Sequence, residues 1–197
     1  REEIDYYLYQ TDKMLASCAW LEIPLGVRNV GVKLAGLLNY QDHRPTLLQI
    51  LLDKKPVNVL KRSLGGDYLH PGILRRNVIE RGLAKLGQCN RETQLALEQS
   101  LLKDPYFEVR AAAAKLLGQQ LLLNDKSEDV FMLALEDVSP VVKVEVLAAL
   151  GGLASGSTVL ITVKNYYQHS NWMIRMAVVE TLKKAYERGE IEVERLK

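Results

Sequence analysis

The residues best suited to chemistry recur in pairs. Five times an acidic residue or a histidine stands six positions before an arginine or lysine: Glu22/Arg28, His70/Arg76, Asp104/Arg110, Asp137/Lys143 and His169/Arg175. Side chains of these types form ion pairs and charge-assisted hydrogen bonds. Where they are half-buried they must find such partners. Each pair opens an apolar helical pattern, so pairing between neighbouring elements is the first chemistry to expect of them.

The second concentration is basic. Residues 54–91 hold Lys54, Lys55, Lys61, Arg62, Arg75, Arg76, Arg81, Lys85 and Arg91 against Asp67 and Glu80. Nine bases against two acids give this block +7, while the rest of the chain carries −5 and the whole only +2. Such a patch can steer an anionic partner even in a near-neutral protein. Arg81 and Lys85 are spaced to share a helix face, away from Ile79 and Leu83. Gly65 and Gly66, which permit unusual backbone angles, lie beside Lys61, Arg62, Asp67, Tyr68 and His70. With Arg75, Arg81 and Lys85, those five residues form the candidate binding set. The glycine pair is no phosphate loop of the Walker kind, because the GK[ST] ending and a preceding strand are missing.

Several chemistries are not indicated. His43, His70 and His169 are scattered, with neither HExxH nor paired cysteine ligands, so no metal site is expected. There is no GxSxG, and neither Cys18 nor Cys89 has a neighbouring histidine to activate it. No cofactor is implied. Two distant cysteines make no disulfide framework, which fits a reducing, cytoplasmic setting. The longest uncharged stretch, Val146 to Val163, contains Gly151, Gly152 and Gly156 and reads as helix–turn–helix, so no membrane span is expected. The opening REEIDYYLYQ is charged rather than signal-like, and a first residue other than Met fits a piece of a longer chain.

The elements that position these residues follow from periodicity. The basic members Arg76, Arg110, Lys143 and Arg175 recur at 34, 33 and 32 residues. A helical pattern repeating near 33 residues implies stacked helix pairs. Residues 92–103 form one helix with Asn90 as cap. Asp104-Pro105 then opens another, with Val109, Ala112, Ala113, Leu116 and Leu117 on one face. Ser127 is expected to cap a helix through Glu136. Ser139-Pro140 opens the next, whose end Gly151-Gly152 loosens. A helix from Ser157 to about Gln168 precedes Asn171 and a last helix carrying Ile174, Val178 and Ala185. His70-Pro71 opens a helix carrying Val78, Ile79, Leu83 and Leu86. Helices over 2–20, from Pro24 to Leu38, and around Thr46 to Asp53 complete the pattern. Four of six prolines fall in these turns. The aromatic clusters Tyr6/Tyr7/Tyr9 and Tyr166/Tyr167/Trp172 read as end packing.

The units DPYFEVRAAAAKLLG (104–118) and DVSPVVKVEVLAALG (137–151) resemble HEAT repeats, in particular the short kind found in phycobilisome-lyase-like proteins. HSNWMIRMAVVETLK (169–183), HPGILRRNVIERGLA (70–84) and EIPLGVRNVGVKLAG (22–36) follow the pattern more loosely, so the likeness is specific over about residues 90–185. The resemblance implies an all-α, right-handed α-α superhelix of about five helix pairs spanning 1–197. Its repeats would cover 1–40, 41–88 with an insertion at 54–69, 89–121, 122–154 and 155–187, followed by a charged tail at 188–197. It also implies a ladder between adjacent repeats made by Asp104, Arg110, Asp137, Lys143 and Arg175, from which Glu22, His70 and His169 depart by not being Asp.

The expected function is a non-enzymatic scaffold. It would take a protein or peptide partner, acidic in one form, along the face made by the second helices or at the basic 54–91 region. A second reading is nucleic-acid binding, by likeness to HEAT-like DNA glycosylases that grip phosphates with a basic face. A third is a chromophore-lyase-like subunit.

Overall fold

The computed structural model describes residues 2–15, 24–53, 70–87, 89–120 and 125–192. All regular structure among them is helical. The helices are α1 (Glu2–Leu15), α2 (Leu25–Leu38), α3 (Arg44–Leu52), α4 (Pro71–Asn77), α5 (Arg91–Lys103), α6 (Phe107–Gln120), α7 (Asp125–Ala134), α8 (Pro140–Leu153), α9 (Gly156–Tyr166) and α10 (Trp172–Glu187). No described helix is long and apolar enough to cross a membrane. The chain forms two compact units, 1–96 and 97–197.

In the first unit α2 is central, packing against α1 and α4. It ends at Asn39, whose left-handed backbone (φ 49°) closes the helix. The expected regular helix over His70 to Leu86 is interrupted. After α4 comes a π turn at Val78–Gly82 and a 3-10 turn at Leu83–Lys85. The apolar residues placed inward are nevertheless buried: Val78, Ile79, Leu83 and Leu86. α2 presses against the π turn so closely that a Cβ on Gly36 would overlap the Arg81 carbonyl oxygen.

In the second unit α8 packs against both α6 and α10, α7 packs on α8, and α9 packs on α10. The core is Val109, Ala113, Leu117, Val142, Val146, Leu150, Ile174 and Val178, all at most 2% exposed. Full burial of a valine, leucine or isoleucine side chain stabilises by about 1.5–3 kcal/mol. Two glycines set the spacing. A Cβ on Gly118 of α6 would lie 2.6 Å from the Ala149 Cβ of α8. A Cβ on Gly151 of α8 would lie 2.8 Å from the Thr181 Cα of α10. Gly151 therefore does not loosen the end of α8, as its sequence suggested. The helix runs on to Leu153, and the glycine is a contact point. Ser127 likewise is no cap, because α7 already begins at Asp125.

The caps of the remaining helices follow from short polar side chains. Asn90 Oδ1 accepts the Thr93 N–H at 2.8 Å, Ser155 Oγ accepts from Thr158 N–H, and Asn171 Oδ1 accepts from Met173 N–H. At the far end Arg188 donates to the Gly151 carbonyl (Nε, 3.2 Å) and the Ala154 carbonyl (Nη2, 2.6 Å), satisfying the open end of α8.

Adjacent glycines of α8 provide an internal control. Gly151→Ala forces backbone apart from backbone and should cost about 1–3 kcal/mol in urea unfolding. At Gly152 nothing lies within 4 Å of a new Cβ, so Gly152→Ala should gain about 0.5–1 kcal/mol. Equal effects at the two positions would rule out the close helix contact.

Candidate functional site

Two of the six-residue pairs, Asp104/Arg110 and His169/Arg175, meet in their turns with a separate task for each member, while Glu22 lies outside the described residues. The turn residue holds its own turn. Asp104 Oδ1 accepts the Tyr106 N–H at 3.0 Å and Asp137 Oδ1 accepts the Ser139 N–H at 2.8 Å. His70 Nδ1 accepts the Gly72 N–H at 3.1 Å and His169 Nδ1 accepts the Asn171 N–H at 3.0 Å. An amide can only donate, so in both histidines Nδ1 is the nitrogen bearing the lone pair. Histidine thus does locally what aspartate does at the equivalent turns.

At two turns the basic member reaches back to the same turn. Arg110 Nη1 donates to the Asp104 carbonyl, and Arg175 Nη1 to the His169 carbonyl, each at 2.8 Å and six residues upstream. In both helices the arginine is the fourth helical residue.

Arg110 also reaches forward to the acid of the next turn. Its Nε and Nη2 grip Asp137 Oδ2 and Oδ1 at 2.6 and 2.9 Å, a two-pronged pair with both side chains largely buried. Burial alone would push the Asp137 carboxyl up. The Arg110 hydrogen bond, the Ser139 amide and the nearby positive charges outweigh it and hold the carboxyl below its ordinary value. The bond to Asp137 in turn raises the Arg110 guanidinium. At the next turn a different contact stands in this place. Lys143 Nζ lies 5.5 Å from the Tyr166 ring centroid, and that ring stacks on His169 at 6.2 Å. The Tyr166 hydroxyl is within reach of Glu136 Oε1 (3.1 Å) and the Leu135 carbonyl (3.2 Å). Burial first, then Glu136, pushes this phenol up to about 12, so it remains a donor.

Of the candidate binding residues, Lys61, Arg62, Asp67 and Tyr68 lie outside the described residues. His70 is a turn cap. Arg75 is 4% exposed and donates to the Asp53 carbonyl, so its guanidinium faces the interior rather than a partner. Arg81 and Lys85 are exposed, although the π turn removes the regular four-residue spacing by which they were expected to share a face. On α2, Arg28 is half-buried. Burial lowers its guanidinium, and Asp53 partly offsets this. Asn77 donates to Asn29 at 2.8 Å and ties α4 to α2.

Two buried polar residues had no sequence signal. Arg44, 8% exposed, donates to Thr93 Oγ1, Gln41 Oε1 and the Leu86 carbonyl at 2.8–3.1 Å. His43, 2% exposed, pairs through Nε2 with Asp12 of α1 at 3.1 Å. Among the described residues no group of three or more His, Cys, Asp or Glu side chains is arranged to hold a metal ion.

The chain matches no family model and no curated protein.

Arg110→Ala should destabilise by about 1–3 kcal/mol, and unfolding like that of the parent would refute the link. Because Asp137 is held low when folded, its contribution is complete above the ordinary carboxylate value near 3.8 and is lost as pH falls through the lowered one. The stability gap between the parent and Asp137→Asn should therefore be constant at about pH 5–7 and shrink below about pH 4. A gap unchanged at low pH would contradict this. At the last turn, His169→Ala should cost about 0.5–1.5 kcal/mol, with His169→Asp recovering most of it in the same assay. A loss that Asp fails to repair would show that the imidazole's stacking, not its acceptor, matters there.

Proposed function

We propose that the chain is a HEAT-like solenoid of helix pairs acting as a non-enzymatic scaffold, with the exposed bases Arg81 and Lys85 offered to an acidic protein or peptide. One observation carries this reading: helices one period apart pack on each other, and the recurring polar residues are used in holding their turns, with Arg110 and Asp137 joining one turn to the next. α6, α8 and α10 form such a series. Arg110, Asp137, His70 and His169 are committed to turn and ladder bonds. Their recurrence is thereby accounted for without chemistry on a substrate. An architecture of this kind presents long surfaces rather than a single cavity.

Nucleic-acid binding is the second reading, favoured only by the +7 balance of residues 54–91. The two are separated by anisotropy with a labelled Glu-rich peptide and a labelled DNA duplex, at low and near-physiological salt. The scaffold reading expects peptide binding that weakens at least several-fold in the double variant Arg81→Glu/Lys85→Glu. It also expects duplex binding that collapses as salt rises, because phosphate contacts release counterions. Duplex binding that survives near-physiological salt and is lost in the double variant would replace it.

A further inference from the structure

The outer side of α10 carries an exposed stripe. Trp172, Met176, Val179, Lys183 and Tyr186 follow one another at intervals of four, three, four and three residues, one face of a helix. Trp172 is 66% exposed, Met176 56%, Val179 58% and Tyr186 54%. The buried residues Ile174, Val178, Thr181 and Ala185 lie on the opposite side.

The internal repeat states what this face is for. Counting from Arg110, Lys143 and Arg175, Val179 is equivalent to Ala114 in α6 and Leu147 in α8, both 0% exposed. They are buried where the next helix of the series arrives. Ala149 of α8 sits on Gly118 of α6, Thr181 of α10 sits on Gly151 of α8, and the Thr181 hydroxyl bonds the Leu147 carbonyl at 2.8 Å. The α10 stripe continues that interface in register, and the occupant of the two earlier faces is a helix. One position differs. Eight residues after the basic member stand Gly118, Gly151 and then Lys183. Where α6 and α8 offer bare backbone, α10 offers an ammonium on a long stem. A helix cannot seat there at backbone distance, and a carboxylate on the arriving helix would pair with the Lys183 ammonium. Glu180 and Glu187, three residues before and four after Lys183 on the same helix, flank the stripe and leave its middle without a carboxylate.

We propose that this face docks an amphipathic α-helix of a partner protein whose apolar side carries a carboxylate opposite Lys183, a proposal that rests on the scaffold reading above. The aromatic and thioether side chains are the anchors such a helix would cover.

The probes are stapled amphipathic helical peptides identical except for Glu, Ala or Lys at one central apolar-face position. The reporter is Trp172 emission in a Trp20→Phe variant, which leaves Trp172 as the sole indole. The Glu peptide should shift the emission to the blue and bind about tenfold more tightly than the Lys peptide. The exposed substitution Lys183→Glu should invert that order, and Val179→Asp should abolish binding by all three. Circular dichroism of each variant should match the parent. No shift with any peptide, or an order indifferent to Lys183→Glu, overturns the proposal, as does a blue shift on anionic vesicles with none on the Glu peptide. If these peptides fail while the Glu-rich peptide still binds through Arg81 and Lys85, the docking face falls and the scaffold stands. If neither binds, both fall.

Discussion

The close contacts of Gly118 with Ala149 and of Gly151 with Thr181 are the constraint on which the second unit depends. Side chains normally hold helices 8–10 Å apart, and a glycine on one surface lets the next backbone come nearer. At that distance the Thr181 hydroxyl reaches the Leu147 carbonyl, and Arg188 reaches the carbonyls that end α8. The apolar layer of Val109, Val142, Val146 and Ile174 fills what remains. A larger residue at Gly151 would disturb these α8–α10 bonds together, and one at Gly118 would push α6 from α8.

The turns solve a second problem within the same spacing. Each must satisfy amides and carbonyls left open between two helices. An acceptor side chain takes the amide two residues on, and at the Asp104 and His169 turns a guanidinium from the following helix takes the carbonyl. Aspartate and histidine are interchangeable for the first task, since both place a lone pair at similar reach. They differ in the second: only a carboxylate can receive a forked guanidinium from the previous repeat. Asp137 does so, whereas the turn at His169 uses Lys143 and the Tyr166 ring. The ladder is thus one strong rung beside a weaker, more polarisable one.

Much of this was legible in the residues themselves, and the misreadings have physical causes. The helical class, the turns at His70-Pro71, Asp104-Pro105 and Ser139-Pro140, and the inward residues of each second helix follow from period and punctuation, which are local. Gly151 was misread because a glycine late in a helix looks the same whether it ends the helix or admits a neighbour. The difference lies in Thr181, thirty residues away. Arg75 and Arg81 are alike as letters in a basic block, yet one is interior and the other exposed, because burial of a charge depends on what packs over it. The π turn at Val78–Gly82 has no local signal either, and Gly36 of α2 lies against the Arg81 carbonyl within it. Arg44 and His43 carry no motif, and their partners Thr93 and Asp12 are distant in sequence.

Many links among the described residues of the second unit join residues about one period apart. Arg110 waits for Asp137, Glu128 for Ser155 and Thr158, Leu147 for Thr181, and Gly151 and Ala154 for Arg188. Made from its amino end, such a chain completes no repeat until the following one has emerged. At each stage of synthesis the newest helix leaves the ribosome with an uncovered face, and the polypeptide that covers it comes next in the message. The order of translation is therefore also the order in which this unit can close.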